Sequence, residues 1–324
     1  MTRVHLGSEL SEEQRRQIQA VSATLELSYE PLLPYEPEIP IRGLSEVEVL
    51  CGYHVGFQMA QAPKLRWVHL ASGGVNHLLG KPILDSDVLL TNSRIYAAPI
   101  AEYVFASAIA FNRRFPLMRQ RFQEGRVWPK NQWAEYSGED LSGKTLVIVG
   151  YGSIGRQVAR VARAFDMRVL ATRRHIAQPT CEDDVVQVYP PGHLRELLAE
   201  ADLVVVCLPL NQETRGAIGE AELRAMKQSA YLVSVGRGKV IDDDALYRAL
   251  HEGWIGGAGL DVWAETPLPS DSPYFDLPNV IMTPHMAGIS QGARQRITDL
   301  FCENLRRYLA GEELLNIVDK QLGY

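Results

Sequence analysis

Two residues stand where chemistry is easiest to do. Arg237 lies in "VGRG", directly behind the apolar run "AYLVSVG" (230–236), and His285 lies in "TPHMAG", behind "NVIM" (279–282). A guanidinium binds a carboxylate through two parallel N–H bonds and polarises a neighbouring carbonyl. An imidazole titrating near neutrality can give a proton to a forming alkoxide and retrieve it in the reverse direction. An arginine between two glycines at the carboxyl end of a buried strand sits where open α/β folds bind ligands. The other seven histidines, His5, His54 and His69 among them, have no comparable setting.

A third feature points to a nucleotide. "TLVIVGYGSIGRQVARVARAF" holds Gly150, Gly152 and Gly155 in the spacing G-x-G-x-x-G, leaving an apolar strand and entering a helix with Val158, Val161, Ala162 and Phe165 on one face. That context gives the pattern its meaning. Gly150 allows the tight turn, Gly152 lets backbone approach a pyrophosphate, and Gly155 lets helix and strand pack closely. The helix N-terminus, with Ser153 and Ile154, offers free N–H groups to phosphates. About twenty residues past Gly155 an acid for the adenosine ribose is expected. In that place, behind "MRVLAT" (167–172), stand Thr172, Arg173 and Arg174, and Asp166 comes before the strand. Arginines there can pair with a 2′-phosphate, so the expected cofactor is NADP(H), with NAD as the weaker alternative.

These residues need a frame. Runs at 145–150, 167–172, 202–209, 230–236, 257–263 and 279–285 read as strands buried on both faces, alternating with helical stretches such as "DALYRALHEG" (244–253). The expected fold is α/β, with a doubly wound parallel-sheet nucleotide domain. Some 140 residues precede it: a strand at 3–6, a helix at 11–23 capped by Ser11, a proline-punctuated loop at 30–40, and strands at 48–52 and 65–72. The segment 99–125 has helical periodicity with an expected break at Pro116. The amphipathic helix at 292–313 has no strand pattern after it and is expected to fold back onto the first unit.

Composition narrows the partners. With 33 Lys and Arg against 39 Asp and Glu, the net charge is −6, which argues against nucleic acid and anionic membrane. Cys51, Cys181, Cys207 and Cys302 form neither a metal-ligand spacing nor a disulfide framework, and the opening residues lack the apolar core of a signal peptide. A cytoplasmic protein without a metal is expected.

The blocks "ASGGVNHL", "AEYVFASAIAFNRR", "LSGKTLVIVGYGSIG", "LVVVCLPLNQETRGAI", "SVGRGKVIDDDAL", "GLDVWAETPLPSDSP" and "VIMTPHMAG" occur in this order. On them the chain resembles the D-isomer-specific 2-hydroxyacid dehydrogenase family, over nearly its whole length. The resemblance implies two Rossmann-like domains with the active site in the cleft between them. The nucleotide domain (98–287) is inserted into a smaller, flavodoxin-like substrate domain (1–97 plus 288–324). It implies hydride transfer between NADP(H) and a small 2-keto or 2-hydroxy acid of the glyoxylate or hydroxypyruvate type, and a homodimer. Arg237 would anchor the substrate carboxylate, helped by N–H groups of Ser72, Gly73 and Gly74, and His285 would be the acid. Asp261 would meet the nicotinamide carboxamide, and Leu208 and Pro209 would wall the adenine and ribose pocket. Val235, Gly236, His285 and Gly288 complete the implied cofactor set. The pattern departs at one place. Where the family has a glutamate that orients the histidine, ungapped counting gives Thr266, and Glu265 is one residue earlier. Either can be the partner of His285. A nucleotide-sensing corepressor and a formate or phosphite dehydrogenase are the alternative functions on the same fold.

Overall fold

The computed structural model describes residues 1–30, 41–52, 59–78, 80–125, 128, 136–182 and 186–321. The loop expected at 30–40 and the histidine at 54 therefore lie outside the described residues, except for Glu30. The chain divides into two compact units, Met1–Tyr96 with Ser290–Tyr324, and Ala97–Ile289.

The first unit is a five-stranded parallel sheet of β1 (Thr2–Leu6), β2 (Leu25–Tyr29), β3 (Val49–Gly52), β4 (Trp67–Leu70) and β5 (Leu89–Asn92), in the order 2-1-3-4-5. That is the flavodoxin-type order. Helix α1 (Glu12–Gln19) starts at Ser11, whose hydroxyl accepts from the Gln14 N–H while the Gln14 side chain accepts from the Ser11 N–H. The C-terminal helix Ala293–Ala310 lies against this sheet. Its Phe301 and Tyr308 rings stack on the fully buried Trp67, each at 5.4 Å between centroids. Strands β3 and β4 are buried residue for residue, as expected where both faces are covered.

The second unit begins with helix α2 (Ala97–Asn112), followed by α3 (Phe115–Gly125). The break falls at Arg113–Arg114, where Arg114 has φ 55°, and Pro116 occupies the first turn of α3 instead of ending a helix. A proline there forfeits no hydrogen bond, because first-turn N–H groups have no intrahelical acceptor. Strands β6 (Thr145–Val149), β7 (Arg168–Thr172), β8 (Thr180–Glu182), β9 (Val186–Tyr189), β10 (Leu203–Val206), β11 (Tyr231–Ser234), β12 (Gly257–Leu260) and β13 (Val280–Met282) form one sheet in the order 13-12-11-10-6-7-9-8. All neighbours are parallel except β8, an antiparallel edge strand on β9. Without that edge strand this is the doubly wound order of dinucleotide-binding sheets, and the winding reverses between β6 and β10. Among the described residues no helix is long and apolar enough to cross a membrane.

Candidate active site

The glycine turn leaves β6 at that reversal and enters helix α4 (Ser153–Ala164). Gly150 has φ 108°, a conformation that L side chains rarely adopt, and the next N–H, of Tyr151, bonds the Thr172 carbonyl at 2.8 Å. A Cβ on Gly155 would stand 2.5 Å from the Gly150 carbonyl oxygen and 3.0 Å from Ile148 Cγ2, so only glycine lets α4 pack this closely on β6. Around Gly152 there is open space, with no heavy atom within 4 Å of where its Cβ would be. Gly152 is the N-cap of α4 and provides no side-chain cap, which leaves the N–H groups of Ser153, Ile154 and Gly155 for an incoming anion. The residues present fit a dinucleotide pyrophosphate. Leu208 and Pro209 follow β10 on the other side of the reversal. The Pro209 carbonyl is held by the Thr214 hydroxyl at 2.6 Å, and Leu208 packs towards Gly150.

At the end of β7, Thr172 is buried and the two arginines are paired. Arg173 meets one oxygen of Glu182, and Arg156, from the first turn of α4, meets the other. Arg174 reaches Glu213 at 2.7 Å. Burial alone would raise the Glu182 carboxyl; Arg156 and Arg173 together outweigh it and hold the group below the ordinary carboxylate range.

Arg237 is placed by its flanking glycines. A Cβ on Gly236 would stand 2.6 Å from the Leu208 carbonyl oxygen, and one on Gly238 would stand 2.0 Å from the Trp263 carbonyl group. The arginine is thus threaded between two backbones, and its Nη1 donates to the Gly236 carbonyl at 2.8 Å. Val235 and Gly236 are buried, and Gly288 is half-buried.

His285 sits on a turn with φ 59°, unusual for a side chain of this size. Asp261, 2% exposed, holds that turn. Its carbonyl accepts from His285 N at 2.9 Å; its carboxylate accepts from Met286 N at 2.7 Å, Ala287 N at 2.9 Å and the Thr283 hydroxyl at 2.5 Å. The Tyr103 hydroxyl lies 2.9 Å from the same Thr283 oxygen. Partial loss of water around the ring lowers the His285 pKa, the nearby Arg237 charge lowers it further, and Asp261 opposes both without cancelling them. Arg237 and His285 are therefore brought close enough to feel each other. Glu265 and Thr266 are not joined to them. Both are exposed on the turn after Trp263, and among the described residues neither makes a hydrogen bond with His285.

In the first unit the Ser72–Gly74 loop follows β4 and is fixed from behind. The Ser72 carbonyl accepts from Ser93 N, the Gly73 carbonyl from the Asn92 side chain at 2.9 Å, and the Ala71 carbonyl from the Tyr96 hydroxyl at 2.5 Å. With these carbonyls occupied, the loop keeps its N–H groups free: among the described residues none of the Ser72, Gly73 or Gly74 amides has an acceptor.

Sequence reasoning missed several of these residues. Arg156 directly follows Gly155, so one more step along the helix would have found it. Tyr96 and Asn92 hold the loop from a distance and leave no local signal. Thr283 stands two residues before His285, but its acceptor lies on another strand. Glu182 and Glu213 are remote from the arginines they meet.

A parallel sheet with a glycine turn at its reversal, and an arginine and a histidine at the ends of two strands separated by one, defines a dinucleotide-dependent oxidoreductase. Residues 105–287 match the model of the NAD-binding domain of D-isomer-specific 2-hydroxyacid dehydrogenases. The chain is 39% identical over 264 residues to a glyoxylate reductase of Korarchaeum cryptofilum, covering 81% of this chain and 78% of that one. Among solved structures it is similar to a D-isomer-specific 2-hydroxyacid dehydrogenase family protein from Aeromonas salmonicida (TM-score 0.83, 30% identity, 98% and 99% of the two chains). It is also similar to a D-isomer-specific 2-hydroxyacid dehydrogenase from Xanthobacter autotrophicus Py2 in complex with NADPH and MES (TM-score 0.82, 27% identity, 100% and 99% of the two chains). The chain belongs to the D-isomer-specific 2-hydroxyacid dehydrogenase family. It is an enzyme that binds a nicotinamide nucleotide and acts on a small 2-keto or 2-hydroxy acid.

Proposed function

We propose that the protein is an NADPH-preferring reductase of a small 2-keto acid, of the glyoxylate or hydroxypyruvate type, forming the D-2-hydroxy acid. The observation that carries the reading is the end of β7, where residues 172–174 contain two arginines and no acid, Arg156 and Arg173 meet on Glu182, and Arg174 lies beside them on Glu213. The glyoxylate reductase relative and the NADPH complex of the Xanthobacter relative agree with it. When bound, the nicotinamide supplies a hydride to the carbonyl carbon. Gly152, Ser153, Ile154 and Gly155 hold the pyrophosphate. Thr172, Leu208 and Pro209 border the adenosine. Val235, Gly236 and Gly288 line the nicotinamide end, where Asp261 can use the acceptor capacity left on its Oδ2. Arg237 binds the substrate carboxylate and polarises the carbonyl, and in the first unit Ser72, Gly73 and Gly74 offer N–H groups suited to a carboxylate. His285 protonates the forming alkoxide without a carboxylate partner from the 265–266 turn.

In this reading residues 1–97 and 288–324 form the substrate domain and 98–287 the nucleotide domain. The protein works in the cytoplasm as a homodimer; Phe115, Phe122 and Trp128, all exposed, offer a second copy an apolar face. A panel of glyoxylate, hydroxypyruvate and pyruvate with NADPH tests the reading, with the glycerate formed from hydroxypyruvate resolved on a chiral column. Turnover of the first two and D-glycerate as product are expected. Failure to reduce either, or formation of L-glycerate, would contradict it.

A further inference from the structure

The three arginines at the end of β7 are not bare. Glu182, the last residue of the edge strand β8, gives one carboxylate oxygen to Arg156 and the other to Arg173. Its side chain is 20% exposed, against 68% for Glu213, which pairs with Arg174. An exposed pair such as Arg174–Glu213 is screened by water and salt and gives way easily. A carboxylate mostly out of water and shared by two guanidinium groups holds its place more firmly. The N–H donors that it takes up belong to the two cations flanking the Thr172–Arg173 corner, where a phosphate on the adenosine ribose has to be met.

We propose that Glu182 is a built-in counter-charge of the 2′-phosphate subsite and a determinant of cofactor specificity. With a nucleotide whose ribose carries only hydroxyls, Glu182 keeps Arg156 and Arg173 paired, so no cation is left unmatched. A 2′-phosphate takes over both guanidinium groups and displaces the carboxylate from them. The phosphate therefore gains its two charge-assisted contacts minus the two already present, and the chain's preference for NADPH is smaller than the arginines alone would give. This rests on the proposed 2′-phosphate site and adds a residue whose effect opposes that of the arginines.

Binding of adenosine 2′,5′-bisphosphate and of adenosine 5′-monophosphate, measured by calorimetry on the parent protein, Glu182→Gln and Glu182→Ala, tests it without turnover. The ratio of the two affinities is expected to rise about fivefold in Glu182→Gln, equivalent to about 1 kcal/mol, and to rise in Glu182→Ala as well. A rise below twofold in Glu182→Gln, or a fall, would show that Glu182 serves to aim the arginines and would overturn the proposal. The parent ratio is read separately. A parent that binds the monophosphate as tightly as the bisphosphate contradicts the NADPH reading, and the response of Glu182→Gln still decides the role of Glu182.

Discussion

Arg237 and Asp261 act on the His285 imidazole in opposite directions, and the balance sets the pH at which the enzyme can work. Reduction consumes the proton of the imidazolium, the form present below the pKa. Burial and Arg237 lower that pKa, so keto-acid reduction in the free enzyme is expected to fall away as pH rises through a midpoint below the ordinary 6.5. A profile of kcat/KM against pH checks this; a midpoint above 7 contradicts it. Thr266→Glu should bring a carboxylate to the position where the family has one and raise that midpoint, since an opposite charge favours the imidazolium. An unmoved midpoint would mean that the exposed turn does not reach the ring. His285→Ala should lower turnover at least about a hundredfold, the lower end for loss of a general acid, while nucleotide affinity measured by fluorescence stays close to that of the parent. Arg237 and His285 were legible because each follows an apolar strand within a glycine-bearing turn. The hold of Asp261 on that turn was not, since all four of these bonds come from residues 22 to 26 positions later.

The glycine turn makes its case at the level of strand and helix. Helix α4 lies so close to β6 that a methyl group on Gly155 has nowhere to go. Gly155→Ala is expected to destabilise the protein by about 1–3 kcal/mol, the usual range for overpacking, and to weaken nucleotide binding by moving the helix N-terminus. Thermal unfolding and a binding titration check the two effects together; an unchanged melting temperature would show that the close packing is not needed. Strands β6, β7, β10 and β11 could be read from the sequence because burial on both faces leaves an unbroken apolar run. Strands β2 and β5 could not. β2 is an edge strand with only Leu25 fully buried, and β5 is short and ends in Thr91 and Asn92, whose polar side chains are buried because Trp67, His69 and the Gly73 carbonyl need them. The hairpin β8–β9 escaped notice too, and with it Glu182, although the hairpin lies directly behind the arginines that drew attention.

At the scale of the whole molecule, the first unit carries a buried neutral histidine. His69 is fully enclosed, with Nδ1 against the Thr91 hydroxyl at 2.8 Å and Nε2 against Ser93 at 3.2 Å, and burial pushes its pKa down to about 3. The folded-state value lies below the unfolded one, so the unfolded chain takes up the extra proton between about pH 6.5 and 3. Stability is full above pH 6.5 and lost as pH falls, by up to about 1.4 kcal/mol per unit. Urea unfolding at pH 7.5, 5.5 and 4.5 checks this, and a midpoint that does not move contradicts it. The α/β architecture, and the family with it, was visible in the order of the sequence blocks, because every block except "AEYVFASAIAFNRR", which lies mostly in helix α2, marks the end of a strand. The cofactor preference is where residue, element and molecule meet. The most direct measurement is kcat/KM for glyoxylate reduction with NADPH and with NADH, on the parent protein and on Arg173→Asp. A preference of at least about tenfold for NADPH, equivalent to 1.4 kcal/mol, is expected, with a loss in Arg173→Asp that falls mainly on NADPH. Equal or better use of NADH by the parent protein would contradict it.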